Sequence, residues 1–489
     1  MNRQIRIVSL IAGLMVCALL GNLTYFDLVR QPELVDDPAN IRTVYDQFDR
    51  QRGQILASNT VIADTVPSTL PDDTFERQRI YPAASLFASI TGYYSFIYGT
   101  RAIENSYNSY LAGTDPGQSL DQLIDQWSGR EPTGATVQTT INPALQQVAA
   151  DQLGTAKGAI VVLDPATGAI QALVSTPSYD PNLLSGHDLT AQQANWNALV
   201  NDPNRPMANR AAREVYPPGS TAKLITAAAA LKAGWKPDSL IATPSSIQLP
   251  NSNRWLPNAS ACGNSQQTLA FALAMSCNTS FANLGRELGA DQLKQQAELF
   301  GFNTTHLDDL GDVPSRYFTT VADDGSLVSS TPDEAQIMMS AMGQWEIAAS
   351  PLQMALVVAA IINDGVLMEP YVVDRVVATD QTVLYQHEAA ASQAMSAPDA
   401  AALADMMRGV VQWGTGTAAN LPGVNMGGKT GTAEWEVGQP PYSWYVAYAT
   451  DPDVVVAVFI ESAPVAATDM ASGALIGPML RQVIAATRP

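Results

Sequence analysis

Two pairs of apolar, β-rich segments lie far apart in the chain, and they constrain the fold more than any other feature. The pairs are 158–163 with 169–174 and 444–449 with 454–460, and an Asp-Pro turn sequence separates the members of each pair. Turn residues between β-rich segments predict hairpins. Ala-rich, helical patterns lie between the pairs, and a closing helix is predicted over 471–487. The pattern therefore predicts an α+β fold, in which one antiparallel sheet built from distant segments packs against a helical subdomain.

An uncharged and mostly apolar segment extends from Ile7 to Phe26, just before Asp27. A helix needs about 20 such residues to cross a bilayer. Arg3 and Arg6 favour a cytoplasmic N-terminus, so the rest of the chain is expected outside the cell membrane. No small-x-small cleavage site follows the segment, which favours an uncleaved single-pass anchor over a signal peptide.

The amino-acid composition limits the kinds of partner that the chain can bind. Asp and Glu number 46 against 26 Lys and Arg, giving a formal net charge of −20, which repels nucleic acid. No His/Cys cluster has the spacing of metal ligands, and we expect no cofactor. Cys262 and Cys277 could pair in an extracytoplasmic compartment or remain two buried thiols, and the residues leave both possibilities open.

The chain divides into three predicted regions. Residues 1–26 are the cytoplasmic tail and anchor. Residues 27–140 are polar and aromatic without a sustained helical period, which predicts a small, extended N-terminal domain. A Pro and Gly cluster at 129–134 indicates its boundary, and Asn142 followed by a proline predicts the capped start of a helix. Residues 141–489 form the third region and contain both predicted hairpins.

Ser220 and Lys223 lie in the sequence Tyr-Pro-Pro-Gly-Ser-Thr-Ala-Lys, which is followed by an Ala- and Leu-rich stretch. Pro-Pro-Gly ends any preceding regular structure, and the stretch after it favours a helix. The two side chains are therefore predicted one turn apart at a helix N-terminus. The helix dipole stabilises an oxyanion there, and a nearby amine can take the hydroxyl proton. An ordinary helix cap would explain Ser220 alone. However, burial of a lysine on an apolar face lowers its pKa towards that of a useful base, so the pair predicts a nucleophile and its base.

Two further polar groups could complete such a site. Ser276 and Asn278 interrupt an apolar pattern, where they either bond to a neighbouring turn or serve as proton relay and substrate clamp. The sequence 429–432, Lys-Thr-Gly-Thr, predicts a strand whose interior Gly431 lets a ligand backbone lie close. The overlapping pattern 423–430 also fits a nucleotide-binding loop, but such a loop requires a following helix and a compartment that contains nucleotide.

Ser-x-x-Lys, Ser-x-Asn and Lys-Thr-Gly in this order form a strong joint pattern. On these motifs the chain resembles the class B penicillin-binding proteins, the membrane-anchored D,D-transpeptidases of bacterial cell walls. Shorter segments that support the likeness are Arg52-Gly-Gln-Ile55, Ile90-Thr-Gly-Tyr93, Ala102-Ile-Glu104, 177–182, Asn209-Arg-Ala211, 350–355 and Gly414-Thr-Gly416. Ala222 departs from the pattern, because the family usually has an aromatic residue before the motif lysine. The resemblance implies a penicillin-binding transpeptidase or serine β-lactamase-like fold, with the N-terminal domain as a pedestal.

The resemblance also implies a role for each motif residue in catalysis. Ser220 would attack the penultimate D-alanyl carbonyl of a stem peptide, with Lys223 as its base. Ser276 would pass a proton to the departing D-alanine, and Asn278 would bond to the peptide amide.

The strand motif would bind the substrate and polarise the site. Lys429 and Thr430 would hold the terminal carboxylate, and Gly431 and Thr432 would lie along the substrate. The backbone N–H groups of Ser220 and Thr432 would form the oxyanion hole.

The implied partners are peptidoglycan stem peptides, β-lactam antibiotics as covalent inhibitors, cell-division proteins and a separate membrane glycan polymerase of the shape, elongation, division and sporulation family. Two alternatives remain at this point. One is a β-lactam-hydrolysing enzyme or D,D-carboxypeptidase that passes the acyl group to water. The other is a non-catalytic β-lactam sensor or division scaffold.

Overall fold

A five-stranded antiparallel sheet forms the centre of the molecule. The computed structural model describes residues 2–25, 45, 48–69, 73–118, 133–434, 439–471 and 473–488. In spatial order, the strands of this central sheet are Met426–Ala433, Tyr442–Ala449, Val454–Ser462, Lys157–Leu163 and Ile170–Thr176. Both predicted hairpins are therefore confirmed, and Val454–Ser462 joins them by pairing antiparallel with Lys157–Leu163.

Both faces of the central sheet are covered, which explains why its strands are apolar without strict alternation. Helix Pro351–Ile362 packs on one face and lies almost wholly inside the larger core. Helices Pro143–Leu153 and Ile476–Ala486 cover the other face and form a second core with it. The α+β architecture of sheet and helices predicted from the sequence is thereby confirmed.

Helix boundaries follow the local sequence signals. Asn142 caps helix Pro143–Leu153, which has proline at its first position, as predicted. Ser350 and Ser396 cap two further helices in the same way. Within the described ranges, the other helices of eight or more residues are Asn2–Tyr25, Leu189–Asn201, Lys223–Lys232, Asn278–Leu299 and Ala397–Gln412. Shorter α-helices are Ala88–Thr91, Ile103–Ser106, Asn108–Ala112, Asn182–Ser185, Leu269–Ala274, Glu334–Ser340 and Ala467–Ala471.

A second, six-stranded sheet contains four strands of the N-terminal region. Its spatial order is Val383–Gln386, Val373–Val377, Thr136–Thr139, Ile55–Ala57, Thr60–Pro67 and Arg77–Ile80. Two of these strands come from the C-terminal half, so residues 27–140 do not complete this N-terminal sheet alone. The boundaries after residues 26 and 140 stay predictions, and positions 129–132 of the Pro and Gly cluster lie outside the described residues.

The remaining strands form two-stranded hairpins or ribbons around the two sheets. These pairs are Tyr94–Ser95 with Gly99–Thr100, Leu240–Ala242 with Gln266–Thr268, Ser246–Gln248 with Trp255–Pro257, Arg316–Tyr317 with Ile347–Ala348, Thr319–Val321 with Leu327–Ser329, and Val366–Met368 with Ala391–Gln393. One of them, Ser246–Gln248 with Trp255–Pro257, forms part of the candidate site.

A fully buried ion cluster lies beside the N-terminal sheet. The Glu104 carboxylate accepts hydrogen bonds from Arg52 at 2.7 Å, from Arg79 at 2.6 Å and from the Tyr81 hydroxyl at 3.1 Å. Burial opposes the charge of Glu104, but the two arginines prevail and lower the pKa of its carboxyl group. The cluster thus connects strand Arg77–Ile80 to the helical segment that contains Glu104.

The N-terminal helix, Asn2–Tyr25, is long and apolar enough to cross a membrane. Its apolar part, Ile5–Tyr25, has a mean hydropathy of 2.1 and is not buried against the rest of the chain. The predicted segment ended one residue later, at Phe26, which lies outside the described residues.

Candidate active site

Ser220 lies in a single 3-10 turn, Gly219–Ala222, that continues directly into helix Lys223–Lys232. Neither segment has a side-chain cap hydrogen bond, and within the described part of the chain Ser220 Oγ has no hydrogen-bond partner. The hydroxyl is therefore not used as a helix cap. It lies half-buried at the positive end of the helix, as the nucleophile hypothesis requires.

Two buried lysines converge on one hydroxyl. Lys223 Nζ donates to Ser276 Oγ at 3.2 Å, to the Ser276 carbonyl at 2.8 Å and to Asn278 Oδ1 at 2.8 Å. Lys429 Nζ donates to the same Ser276 Oγ at 2.9 Å and to the Thr430 carbonyl at 3.0 Å. The structure thus brings together motif residues separated by about half of the chain. When Lys223 is protonated, Ser276 Oγ accepts from both amines, and its own hydrogen can then be donated to a third group.

Burial weakens the basicity of both lysines. It lowers the pKa of Lys223 well below its usual value, and the charge of Lys429 lowers it further. Burial alone lowers the pKa of Lys429 to about 7. Because two ammonium groups around one oxygen repel each other in a buried site, the arrangement favours the neutral form of the Lys223 amine.

The Lys-Thr-Gly-Thr motif lies on the edge strand of the central sheet, Met426–Ala433. Thr430 is therefore on a strand, which excludes the nucleotide-binding loop, where this residue would begin a helix. Gly431 is needed at its position, because a Cβ atom there would lie 2.8 Å from the Pro218 carbonyl oxygen. The glycine lets the strand approach the turn that contains Ser220.

Gly219, on the turn that contains Ser220, also permits the close approach of the edge strand. Gly219 has a φ of 53°, and a Cβ atom there would lie 2.5 Å from the Thr432 carbonyl oxygen. Its N–H donates to the Gly343 carbonyl at 3.0 Å. Backbone groups of Ser220 and Thr432 are thereby held near each other, which is the arrangement expected for an oxyanion hole.

The backbone around Ser276 is constrained by its own conformation and by a disulfide bond at the next residue. Ser276 has a φ of 58°, in the left-handed region that non-glycine residues rarely adopt. The next residue, Cys277, forms a disulfide bond with Cys262, so the structure selects the paired alternative. Asn278 begins helix Asn278–Leu299 and donates to the Pro257 carbonyl at 3.1 Å.

A cleft with a volume of about 820 Å³ opens above these groups. Six of the predicted site residues line it, namely Ser220, Ser276, Asn278, Thr430, Gly431 and Thr432. The two lysines are fully buried behind its wall. The arrangement offers the free Ser220 hydroxyl and the Asn278 amide to a ligand of peptide size, with the two amines behind the Ser276 hydroxyl.

Two family models match the chain. The penicillin binding protein transpeptidase domain matches residues 158–485, and the penicillin binding protein A dimerisation domain matches residues 52–137. The chain belongs to the penicillin-binding protein transpeptidase family.

Relatives among characterised penicillin-binding proteins cover the whole chain. The peptidoglycan D,D-transpeptidases PbpA of Mycolicibacterium smegmatis and Mycobacterium tuberculosis are 39% and 38% identical to it, over 99% of both chains in each case. Penicillin-binding protein A from M. tuberculosis, solved as a ceftriaxone acyl-enzyme complex, gives a TM-score of 0.82 at 37% identity and covers 90% of this chain and 99% of that one. A D,D-transpeptidase domain from Eggerthella lenta gives a TM-score of 0.73 at 33% identity, with the same coverage.

Sequence analysis used the segment Gly414-Thr-Gly416 only as support for the resemblance and gave Thr415 no role in this penicillin-binding protein site. Thr415 Oγ1 lies 2.8 Å from Thr430 Oγ1, and both residues line the cleft. The two flanking residues are glycines because a side chain has no room at either position. A Cβ atom at Gly414 would lie 2.4 Å from the Ala274 carbonyl oxygen, and one at Gly416 would lie 2.3 Å from the Tyr445 hydroxyl oxygen. A threonine between two glycines was the available signal, but its contact with the strand depends on the tertiary fold.

Proposed function

We propose that the chain is a peptidoglycan D,D-transpeptidase that cross-links stem peptides through an acyl-enzyme on Ser220. The observation that carries this proposal is the Ser276 hydroxyl, which two buried lysines share beside an unbonded serine at a helix N-terminus. Few other arrangements combine a nucleophile, a neutral amine and a proton relay without histidine or metal. The 38–39% identity to named D,D-transpeptidases supports the same function.

In the acylation step, Ser220 Oγ attacks the penultimate D-alanyl carbonyl of the donor peptide, and its proton passes to neutral Lys223. The carbonyl oxygen becomes an oxyanion between the N–H groups of Ser220 and Thr432, each worth about 3 to 4 kcal/mol of barrier. The bond from this carbonyl carbon to the D-alanine nitrogen then breaks. Ser276 passes a proton to that nitrogen and recovers one from Lys223, which is neutral again.

In the transfer step, an amino group of a second stem peptide attacks the ester on Ser220. One proton of this amine is taken up through Lys223 and returned to the Ser220 oxygen as the ester bond breaks, and an amide cross-link forms. Lys429, Thr430 and Thr415 would hold the donor carboxylate before cleavage, and Asn278 would bond to the donor amide.

Membrane attachment fits this substrate. We place the catalytic region on the outer side of the cell membrane, with Asn2–Tyr25 as the single-pass anchor. The disulfide bond between Cys262 and Cys277 supports the placement, because such bonds persist mainly in oxidising compartments. The proposed partners remain a separate membrane glycan polymerase of the shape, elongation, division and sporulation family and cell-division proteins, which the family resemblance implies.

The test is intact-protein mass spectrometry after exposure to benzylpenicillin, together with an amide-transfer assay. The native protein is expected to gain the mass of one penicillin, and the Ser220→Ala variant none. With a D-alanyl-D-alanine donor and an amine acceptor, the cross-linked product is expected to exceed the hydrolysed one. Hydrolysis alone would favour the carboxypeptidase or β-lactamase alternative, and acylation without any turnover would favour the sensor or scaffold.

A further inference from the structure

A small pocket lies between the N-terminal and catalytic regions and shares no lining residue with the cleft above Ser220. Its volume is about 30 Å³. A buried water needs roughly 10 to 15 Å³ of such space, so the pocket has room for one small chemical group and not for a peptide. Arg101 lines it from the N-terminal region, and Arg213 and Tyr179 line it from the catalytic region. Two arginines from different regions therefore border one confined space.

The two arginines have no anionic partner. Within the described ranges, neither guanidinium group makes a hydrogen bond or an ion pair. The two carboxylates that act on Arg213 are engaged elsewhere. Glu214 pairs with Arg205 at 2.5 Å, and Asp312 accepts from two backbone N–H groups at 2.9 and 3.1 Å. Acidic residues outnumber basic ones in this chain by 46 to 26, so two neighbouring arginines without a carboxylate are unexpected.

The charges of these two arginines repel each other. Burial lowers the pKa of Arg213, and the charge of Arg101 lowers it further. Asp312 and Glu214 act in the opposite direction but do not offset these effects. Because a guanidinium group keeps its charge in a protein, the repulsion costs folding free energy until a bound anion offsets it.

The backbone holds both arginines in place. The Arg101 N–H donates to the Tyr93 carbonyl at 3.2 Å, and Gly92 lets the two segments approach, since a Cβ atom there would lie 1.9 Å from the Arg101 carbonyl oxygen. The Arg213 N–H donates to the Asn209 carbonyl at 2.8 Å. The main chain is thus fixed at both positions, while both guanidinium groups are free to bind a ligand.

A buried hydroxyl completes the lining of the pocket. Tyr179 is only 8% exposed, yet its hydroxyl has no hydrogen bond within the part of the chain that the structure describes. Burial and the neighbouring Tyr93 raise the pKa of Tyr179 against the charge of Arg101, so the hydroxyl keeps its proton. Buried polar groups without a partner are rare, and each calls for an explanation. A donor at this position can serve an anion bound between the arginines.

We propose that this pocket binds a dianionic phosphate group, held by Arg101 and Arg213 with the Tyr179 hydroxyl as a third donor. Guanidinium groups match phosphate oxygens with paired, charge-assisted hydrogen bonds. A dianion neutralises both arginines, whereas a carboxylate would leave one positive charge. Inorganic phosphate and the phosphomonoester headgroup of a lipid share this chemistry. The site is independent of the acyl-enzyme on Ser220, and a bound phosphate would join the two regions of the chain.

Calorimetric titration of the full chain in detergent with inorganic phosphate tests the site. The variants are Arg101→Gln, Arg213→Gln, the double variant and Tyr179→Phe. Glutamine removes the charge but keeps a long polar side chain, and phenylalanine keeps the ring of tyrosine. Arg286→Gln is the matched control, because Arg286 is also exposed but lies outside the pocket.

The native protein is expected to bind one phosphate, with competition from sulfate, a dianion of the same shape, and none from nitrate. Each single arginine variant should weaken phosphate binding at least about tenfold, the value of one hydrogen bond to a charged group. Tyr179→Phe should weaken it about two- to tenfold, as for a neutral hydrogen bond. The double variant should show no saturable binding, and Arg286→Gln should bind phosphate as the native protein does.

Thermal unfolding separates a ligand site from a structural role of the arginines. Without phosphate, removal of one of two repelling charges should leave the unfolding midpoint of Arg213→Gln at or above that of the native protein. With saturating phosphate the order should reverse, because the native protein gains more stability from binding. An equal loss of stability in both conditions would mean that Arg213 supports only the fold, and it would overturn the proposal.

Two calorimetric results would also overturn it, namely no phosphate binding to the native protein or equal dissociation constants for the native protein and the double variant. The source of the phosphate is distinguished in phosphatidylcholine vesicles with and without phosphatidic acid, whose headgroup is a phosphomonoester. Loss of inorganic phosphate binding only in the vesicles with phosphatidic acid would support the site and identify the lipid headgroup as its occupant. Equal binding in both kinds of vesicle would support the site with free phosphate as its ligand.

Discussion

At the scale of single residues, the chemistry depends on two buried amines whose pKa values are both lowered. Lys223 and Lys429 are fully buried and both donate to Ser276 Oγ. A neutral Lys223 has a lone pair for the Ser220 proton, whereas a charged Lys429 suits a substrate carboxylate. Burial lowers the pKa of both amines, and the charge of Lys429 lowers the pKa of Lys223 further, which favours Lys223 as the base.

The first prediction concerns the pH dependence of acylation. A lysine acts as a base only when it is neutral, so the acylation rate should rise as pH increases through the pKa of Lys223, which lies well below its usual 10.5. Lys223→Ala should lose this rise and slow acylation about 10² to 10⁴-fold. Stopped-flow acylation by benzylpenicillin between pH 5 and 10 measures both effects. Lys232→Ala, at the exposed end of the same helix, is the control, and a variant profile parallel to the native one would contradict the assignment.

The second prediction separates the Ser276 hydroxyl from the Ser276 backbone. Ser276→Gly removes the hydroxyl shared by both lysines but suits the left-handed φ of 58°. Acylation should therefore fall about 10² to 10⁴-fold while the melting temperature stays near that of the native protein. Undiminished acylation would show that Ser276 is not a proton relay, and comparison with Ser276→Ala isolates the backbone strain.

Sequence spacing predicted most of these residues but not their strain or their mutual distances. The Ser-x-x-Lys spacing predicts Ser220 and Lys223 one turn apart, and the structure has Ser220 in a 3-10 turn and Lys223 at the start of the helix that follows it. The meeting of Ser276 with Lys429 depends on the packing of a helix against the edge of a sheet. Thr415 was missed for the same reason, because its partner lies on a different element.

At the scale of secondary-structure elements, the site depends on the close approach of the edge strand Met426–Ala433 to the turn Gly219–Ala222. In Gly431→Ala, the added methyl group would lie 2.8 Å from the Pro218 carbonyl oxygen and 2.9 Å from the Thr221 side chain, so the strand must move away from the turn. The Thr432 N–H would leave the oxyanion hole, and acylation should slow about 10² to 10³-fold, as for loss of one donor.

Penicillin acylation kinetics measure this effect, with circular dichroism to verify the fold. Gly186→Ala is a suitable control, because a Cβ atom there would make only an ordinary contact, 4.0 Å from Asn182, without left-handed strain. Equal rates for Gly431→Ala and the native protein would mean that the strand does not supply the donor.

Local sequence signals predicted helices and strands well where turn residues or helix caps mark their ends. The hairpins and the Asn142-capped helix were confirmed, whereas the closing helix is Ile476–Ala486, shorter than the predicted 471–487. The Ala-rich helix Ala397–Gln412 buries residues such as Leu403 and Met407. Alanine contributes little hydrophobic contrast, so its burial is decided by the neighbouring helices rather than by its own pattern.

At the scale of the whole molecule, the N-terminal region and the catalytic region are joined by backbone hydrogen bonds. Strand Val373–Val377 pairs with Thr136–Thr139, although most of the transpeptidase region lies between them in sequence. No local pattern specifies a partner at that separation, which is why the sequence predicted a separate extended domain but not this shared sheet. The buried Arg52, Arg79 and Glu104 cluster lies beside the same sheet.

The fourth prediction concerns this cluster. Glu104→Gln would leave two buried guanidinium groups without a carboxylate, at a cost of about 3 to 5 kcal/mol. The unfolding midpoint in urea should fall accordingly, with Ser220 acylation retained at low denaturant. Glu334→Gln removes an exposed partner 3.9 Å from Arg286 and should have almost no effect. Equal midpoints for the two variants would show that the cluster contributes no more than a surface pair.

The shared sheet also bears on how the enzyme can be produced in pieces. A recombinant fragment beginning at residue 141 would lack Thr136–Thr139, and the edge of strand Val373–Val377 would then present unpaired N–H and C=O groups to solvent. Exposed edges of this kind invite intermolecular strand addition and aggregation. Inhibitor screening is therefore better served by a soluble form that starts before Ile55 and keeps the whole N-terminal sheet.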